Sequence, residues 1–227
     1  MLTKTEIAAN IERIKRELNG RAELLAATKT IPPEIINFAA DCGITLIGEN
    51  RVNELLEKYA ALDKTRLRVH FIGALQTNKV KYIADKVEMI HSVDRLPLAE
   101  EIERRCAALG RTMDVLVEVN IAGEAAKSGI APEDTEAFCE EITRFPHLRL
   151  RGLMCVPPKC DDPAENIKYF CKMRKIFIDI KQKKLDNSNV DTLSLGMSGD
   201  YLAAVENGST MVRIGSAIFG ARDYTQK

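Results

Sequence analysis

LLAATKTIPPEIINFAADCGITLI, residues 24–47, holds one complete structural unit. Leu24-Leu25-Ala26-Ala27-Thr28 is a short apolar run that reads as a buried strand, and Lys29 closes it. Pro32-Pro33 suit a helix start, because the fixed proline φ matches the first turn and its missing N–H is not needed there. An amphipathic stretch follows at 33–42, and a second apolar run occupies 44–47.

The unit repeats along the chain. Apolar or β-branched runs fall at 24–28, 44–47, 69–72, 87–91, 114–119, 148–153, 191–195 and 211–214. Amphipathic stretches separate them near 33–42, 50–61, 76–85, 95–109, 132–144, 163–184 and 200–206. Strands that alternate with helices imply parallel pairing with helical crossovers. Eight such strands predict an α/β protein built as a closed (β/α)8 TIM barrel; a doubly wound open sheet is the alternative. Thr3-x-x-Glu6 is a capping box, with Ile7, Ile11, Ile14 and Leu18 behind it at helical spacing, so an extra N-terminal helix precedes the first strand. No linker interrupts the alternation, and residues 1–227 are expected to form a single domain.

Composition narrows the function. With 33 basic and 33 acidic side chains the net charge is zero, and tryptophan is absent. Neither a nucleic-acid partner nor an anionic membrane is indicated. The six cysteines are scattered without a Cys-x-x-Cys pair, which reads as reduced thiols in a cytoplasmic protein. His70, His91 and His147 do not fall with cysteines at metal-ligand spacing, so no metal site is expected. The first residues lack a signal-peptide core, and no window is long and apolar enough for a membrane span.

In both architectures ligands bind at the carboxyl ends of the strands. Lys29 stands at such an end. Beside an apolar core its amine would lose proton affinity, and a neutral amine condenses with aldehydes; the ordinary alternative is a snorkelling surface lysine. Gly196-Met197-Ser198-Gly199-Asp200 and Gly215-Ser216 follow the last two strands, where barrels often hold phosphate. Each alone also fits a plain turn. Arg213 interrupts the apolar strand Met211-Val212-Arg213-Ile214. A buried arginine needs a partner: an acidic neighbour on the ordinary reading, a pyridine nitrogen on the functional one. Amine, phosphate cradle and guanidinium together suit pyridoxal 5′-phosphate (PLP).

Several segments carry a resemblance. They are Ala27-Thr28-Lys29-Thr30, Ile47 to Glu54 (IGENRVNE), His70 to Lys79 (HFIGALQTNK), Ile90-His91-Ser92-Val93-Asp94, Lys127-Ser128-Gly129, Arg151-Gly152-Leu153-Met154, Ser194 to Asp200 (SLGMSGD) and Val212 to Gly220 (VRIGSAIFG). In these the chain resembles the pyridoxal phosphate homeostasis proteins. The resemblance implies a barrel like the N-terminal domain of alanine racemase, with PLP carried on Lys29 as a Schiff base. It also implies that Ser198, Gly215 and Ser216 bind the phosphate, that Arg213 faces the ring nitrogen, and that Asn50 and Met197 line the site. Lys127 matches a lysine near the entrance. Ser216 stands where threonine is common, and both offer a hydroxyl.

Two functions are compatible with that resemblance. One is a PLP carrier in vitamin B6 homeostasis, a monomer that supplies apoenzymes and has no catalytic residues. The other is a single-domain PLP-dependent amino-acid racemase. A racemase needs a second base, supplied in alanine racemases by a tyrosine of a further domain. The tyrosines here, Tyr59, Tyr82, Tyr169, Tyr201 and Tyr224, lie mainly in predicted helices or the tail. A third reading, a barrel enzyme for a phosphorylated metabolite, would need no cofactor at all.

Overall fold

The computed structural model describes residues 2–160 and 162–221, so Tyr224 lies outside the described residues. Helix α1 (Lys4–Leu18) opens the chain. The Thr3 hydroxyl accepts the Glu6 N–H while the Glu6 carboxylate accepts the Thr3 N–H, which completes the capping box. Asn19, at φ 46°, ends the helix in the left-handed region. Ile7, Ile11, Ile14 and Leu18 form its buried face. Each is worth about 1.5–3 kcal/mol when removed from water.

The eight expected strands all form: β1 (Glu23–Ala27), β2 (Leu46–Glu49), β3 (Arg68–Phe71), β4 (Met89–Val93), β5 (Met113–Glu118), β6 (Leu148–Met154), β7 (Ser188–Ser194) and β8 (Met211–Ile214). Every pairing is parallel, and β8 returns to β1, so the sheet closes as a barrel. Closure excludes the open sheet. The crossovers are α2 (Pro33–Asp41), α3 (Val52–Tyr59), α4 (Val80–Ile83), α5 (Leu96–Leu109), α6 (Thr135–Ile142), α7 (Ile167–Gln182) and α8 (Tyr201–Glu206). Short 3₁₀ turns precede α4, α6 and α7. A last short helix, α9 (Ser216–Phe219), follows β8 and was not anticipated. Helix α1 packs against α2, α8 and α9.

Large aliphatic side chains fill the space between strands and helices. Inside the barrel, Leu25, Leu46 and Met211 form one apolar cluster, and Met89, Leu116 and Met154 another. Polar side chains occupy part of the interior as well: His70, His91, Ser194 and Arg213 are all buried. A barrel interior is usually filled by branched aliphatics, so these four call for a reason. In β4 the register gains one residue between Ile90 and Val93, which keeps both in the helix-facing layer and leaves His91 and Ser92 between them. The thiols of Cys106, Cys139 and Cys155 are buried, and burial pushes them up to about 11, 12 and 12. That is the setting of inert thiols. No helix among the described residues is long and apolar enough to cross a membrane.

Candidate functional site

Lys29 stands, half-buried, in the turn that leaves β1. The Thr28 N–H continues the ladder to Gly48 O at 3.0 Å, and Ile31 N–H closes the turn on Thr28 O at 3.0 Å. Between them Thr30 adopts φ 66°, a strained value for a β-branched residue. Its N–H donates to Glu54 Oε2 at 2.9 Å. Beneath the turn Glu49 is fully buried, and its Oε1 accepts from the Thr28 hydroxyl at 2.6 Å and from Lys58 Nζ at 3.1 Å. Lys58 also donates to Thr28 O at 2.9 Å and pairs with Glu54 at 3.6 Å. Carboxylates and an ammonium from β2 and α3 thus hold the backbone on both sides of Lys29. Burial pushes the Glu49 carboxyl above its ordinary 4.5, against the pull of Lys58 and Thr28.

Arg213 lies on β8, paired in register with Leu25 of β1. Its Nη1 donates to Ser194 O at 2.7 Å and to Ser194 Oγ at 2.6 Å, and Nη2 donates to Cys155 O at 2.9 Å. No carboxylate lies within ion-pair distance among the described residues, so the acidic neighbour of the ordinary reading is not there. Two carbonyls and a hydroxyl satisfy three of the five N–H groups. The Nε–H and one Nη2–H are left to other partners. Burial lowers the guanidinium's proton affinity, yet its ordinary value of 12.5 leaves it charged.

The two glycine-rich loops meet. Ser198 Oγ accepts the N–H of Gly215 at 3.2 Å and of Ala217 at 3.1 Å, so the hydroxyl ties the loop after β7 to the start of α9. Asp200 stands at the start of α8: it is buried, accepts the Met197 N–H at 2.7 Å, and accepts from Asn166 Nδ2 at 3.0 Å. Gly196 needs to be glycine: at φ 87° a Cβ would sit 2.7 Å from that of Ala204. Met197 and Ser216 are exposed, Ser198 and Gly215 half-buried. Register places Gly48 beside Ala27 and Ile214 beside Ala26, so Lys29, Asn50, Gly215 and Ser216 share one rim.

Three buried side-chain atoms at the carboxyl ends of β2 and β4 have no hydrogen-bond partner among the described residues: Glu49 Oε2, Asn50 Oδ1 and Ser92 Oγ. A buried polar atom left unpaired costs about 1–3 kcal/mol, so such atoms mark places for a polar partner. Glu49 Oε2 belongs to the carboxyl that Thr28 and Lys58 hold on the helix side of β2, whereas Gly48 faces the interior, where a Cβ would meet Leu25 Cδ2 at 2.5 Å and Ile72 Cδ1 at 2.9 Å. Asn50, Ser92 and the donors left on Arg213 suit the polar groups of a phosphorylated ring. Lys127 pairs with Glu124 at 2.7 Å and donates to Pro157 O at 3.1 Å.

The supporting roles escaped the sequence reading. Glu49 ends β2, and Glu54 and Lys58 look like helix-surface charges until the turn they hold is seen. His70, His91 and Ser194 entered only within the segments that carry the resemblance, the histidines also as unsuited metal ligands. The signal that flagged Arg213, a polar residue inside an apolar strand, applied to them too. Among the described residues no group of three His, Cys, Asp or Glu side chains could hold a metal ion.

Comparison with known proteins follows the same line. The family "Alanine racemase, N-terminal domain" matches residues 3–223. A "Pyridoxal phosphate homeostasis protein" of Aquifex aeolicus is 44% identical over 220 residues, covering 94% of this chain and 96% of its own. PipY of Synechococcus elongatus, solved with PLP bound, superposes with a TM-score of 0.86 at 32% identity, covering 94% of this chain and 100% of PipY. An alanine racemase of Clostridium difficile shares the fold at 16% identity and a TM-score of 0.74; the match covers 97% of this chain but 61% of the racemase.

Proposed function

The chain belongs to the pyridoxal phosphate homeostasis protein family, and we propose that its barrel mouth binds PLP covalently through Lys29. When bound, PLP supplies an aldehyde that condenses reversibly with a primary amine and releases water. The chain's own residues do the rest. The Glu49–Lys58–Glu54 cluster fixes the turn that presents Lys29. The loop junction of Ser198, Gly215 and Ser216, with the N–H groups of Ser198, Gly199 and Ser216 and the Ser198 and Ser216 hydroxyls, receives the phosphate. Arg213 offers an N–H to the ring nitrogen; because it keeps its proton, that nitrogen stays unprotonated and the ring is a weak electron sink. Asn50 and Met197 line the ring. The observation that carries this reading is the convergence of Lys29, Asn50, Arg213 and the Ser198–Gly215 junction on one rim, beside buried polar atoms that lack partners.

The protein acts as a carrier in vitamin B6 homeostasis. It limits free aldehyde and delivers PLP to apoenzymes, as a cytoplasmic monomer in which residues 1–227 serve as one cofactor-binding unit. One observation favours a carrier over a racemase: Tyr201, the tyrosine nearest the phosphate loop, hydrogen-bonds to Glu17 and to Arg13 of α1.

Borohydride reduction of PLP-loaded protein, followed by peptide mass mapping, should put the adduct on Lys29 alone. Lys29→Ala should abolish it, and an adduct retained elsewhere would refute the assignment. In deuterated water, stereo-inverting α-proton exchange of an amino acid at catalytic protein levels would instead establish the racemase.

A further inference from the structure

The carrier reading gives no part to two histidines inside the barrel. His70 Nδ1 lies 3.0 Å from His91 Nε2, and His91 Nδ1 lies 3.5 Å from Ser194 Oγ. Ser194 Oγ in turn accepts from Arg213 Nη1 at 2.6 Å. β4 and β7 are not neighbours in the barrel, so the contact between His91 and Ser194 crosses its interior. The four side chains form one file from β3 to β8.

The protons of this file can be placed. Arg213 has only donors, so Ser194 Oγ must accept from it. The Ser194 proton then needs an acceptor, and among the described residues the atom within reach is His91 Nδ1. His91 therefore carries its proton on Nε2 and donates it to His70 Nδ1, and His70 is protonated on Nε2. Reversing the file would leave the buried Ser194 hydroxyl proton and the His70 Nε2 lone pair both without a partner. The chosen direction leaves one orphan instead of two. The His91–Ser194 link is the longest, at the outer limit for a hydrogen bond, and it is the link to test.

We infer that Ser194 and His91 are positioning residues for Arg213: the file of neutral histidines locks the Ser194 hydroxyl toward His91, and the locked hydroxyl and carbonyl hold the guanidinium so that its unused N–H groups stay available to the ring nitrogen. The last step rests on the PLP reading above; the proton file does not. Burial agrees with it, holding His70 at about 3 and His91 well below its ordinary 6.5. The charged groups acting on the two imidazoles are Arg213 at His91, and Arg68 and Arg151 at His70, all cationic and opposed to a charged ring; Glu118 and Asp200 act with the opposite sign on Arg213 at the far end of the file.

Two measurements decide the matter. In ligand-free protein labelled with ¹⁵N-histidine, NMR should find both rings neutral with the proton on Nε2, unchanged between about pH 5 and 8, where an unperturbed histidine titrates. A proton on His91 Nδ1, or a midpoint inside that range, overturns the file. In PLP-loaded protein, Ser194→Ala and His91→Phe should move the pH midpoint of the bound-cofactor absorbance by about one unit, a tenfold change in proton affinity. Ser194→Thr, which keeps the hydroxyl, should restore it. His147→Ala should change nothing, because His147 is half-exposed and paired with Glu103 at 2.6 Å. Wild-type spectra and affinity in both file variants would overturn the positioning role while leaving the carrier reading intact. If wild type takes up no PLP, the carrier reading and the positioning role fall together, and the NMR result still decides the file.

Discussion

Two buried cations flank the barrel mouth, and they are handled in opposite ways. Lys58 meets two carboxylates, Glu49 at 3.1 Å and Glu54 at 3.6 Å. Arg213, equally buried, meets only carbonyls and one hydroxyl, backed by two neutral histidines. The first charge is neutralised where it stands and serves to hold the Lys29 turn. The second keeps its positive potential in a low-dielectric interior, where it can act on a ligand. A cation that is to face a cofactor cannot already be paired with a carboxylate.

The sharpest way to break this contrast is to remove the paired cation. Lys58→Met should strand Glu49 and lower stability to urea at pH 7 by about 3–5 kcal/mol. Adding Glu49→Gln should recover much of the loss. If the single variant is as stable as wild type, the pair is not what holds the turn. Arg213→Met should cost less, about 1–3 kcal/mol, because it frees two carbonyls and a hydroxyl but also removes an uncompensated buried charge. A larger loss than in Lys58→Met would invert the comparison.

The histidines give the next effect. Their folded pKa values lie below 6.5, so below that pH the unfolded chain binds protons that the native state refuses. The stability they contribute is fully present above pH 6.5 and is lost as pH falls toward about 3 for His70. Each should cost up to about 1.4 kcal/mol per pH unit in that window. His70→Asn should flatten the slope measured by urea unfolding between about pH 6.5 and 5. A slope unchanged from wild type would show that the ring is not held neutral. Smallest should be Ser198→Ala, which removes an acceptor from two N–H groups and costs about 1 kcal/mol. Its thermal shift should be slight while its PLP affinity falls; equal affinity would free Ser198 from the phosphate role.

Legibility divided along the same line as these effects. The eight strands and most of the crossovers were readable because apolar periodicity is a local property, set by which face each residue must bury. Boundaries moved where tertiary pairing overrode it: β7 begins at Ser188 rather than 191, because polar residues there pair with β6. α9 was hidden, four residues being too few to show a period. Lys29 and Arg213 stood out because each breaks an apolar run. Glu49 and Lys58 did not, since charges at a loop and on a helix surface are ordinary in sequence.

Local order along the chain was therefore enough to dictate eight strands alternating with helices, a capped first helix and the strand ends where chemistry gathers. Partnership was not. That Lys58 lies under the Lys29 turn depends on β2 pairing with β1, and that Ser198 reaches the start of α9 depends on β7 lying beside β8; that His91 faces Ser194 across the interior depends on closure of β8 onto β1. Only closure brings side chains more than a hundred positions apart within hydrogen-bond reach, and no spacing along the chain encodes those distances.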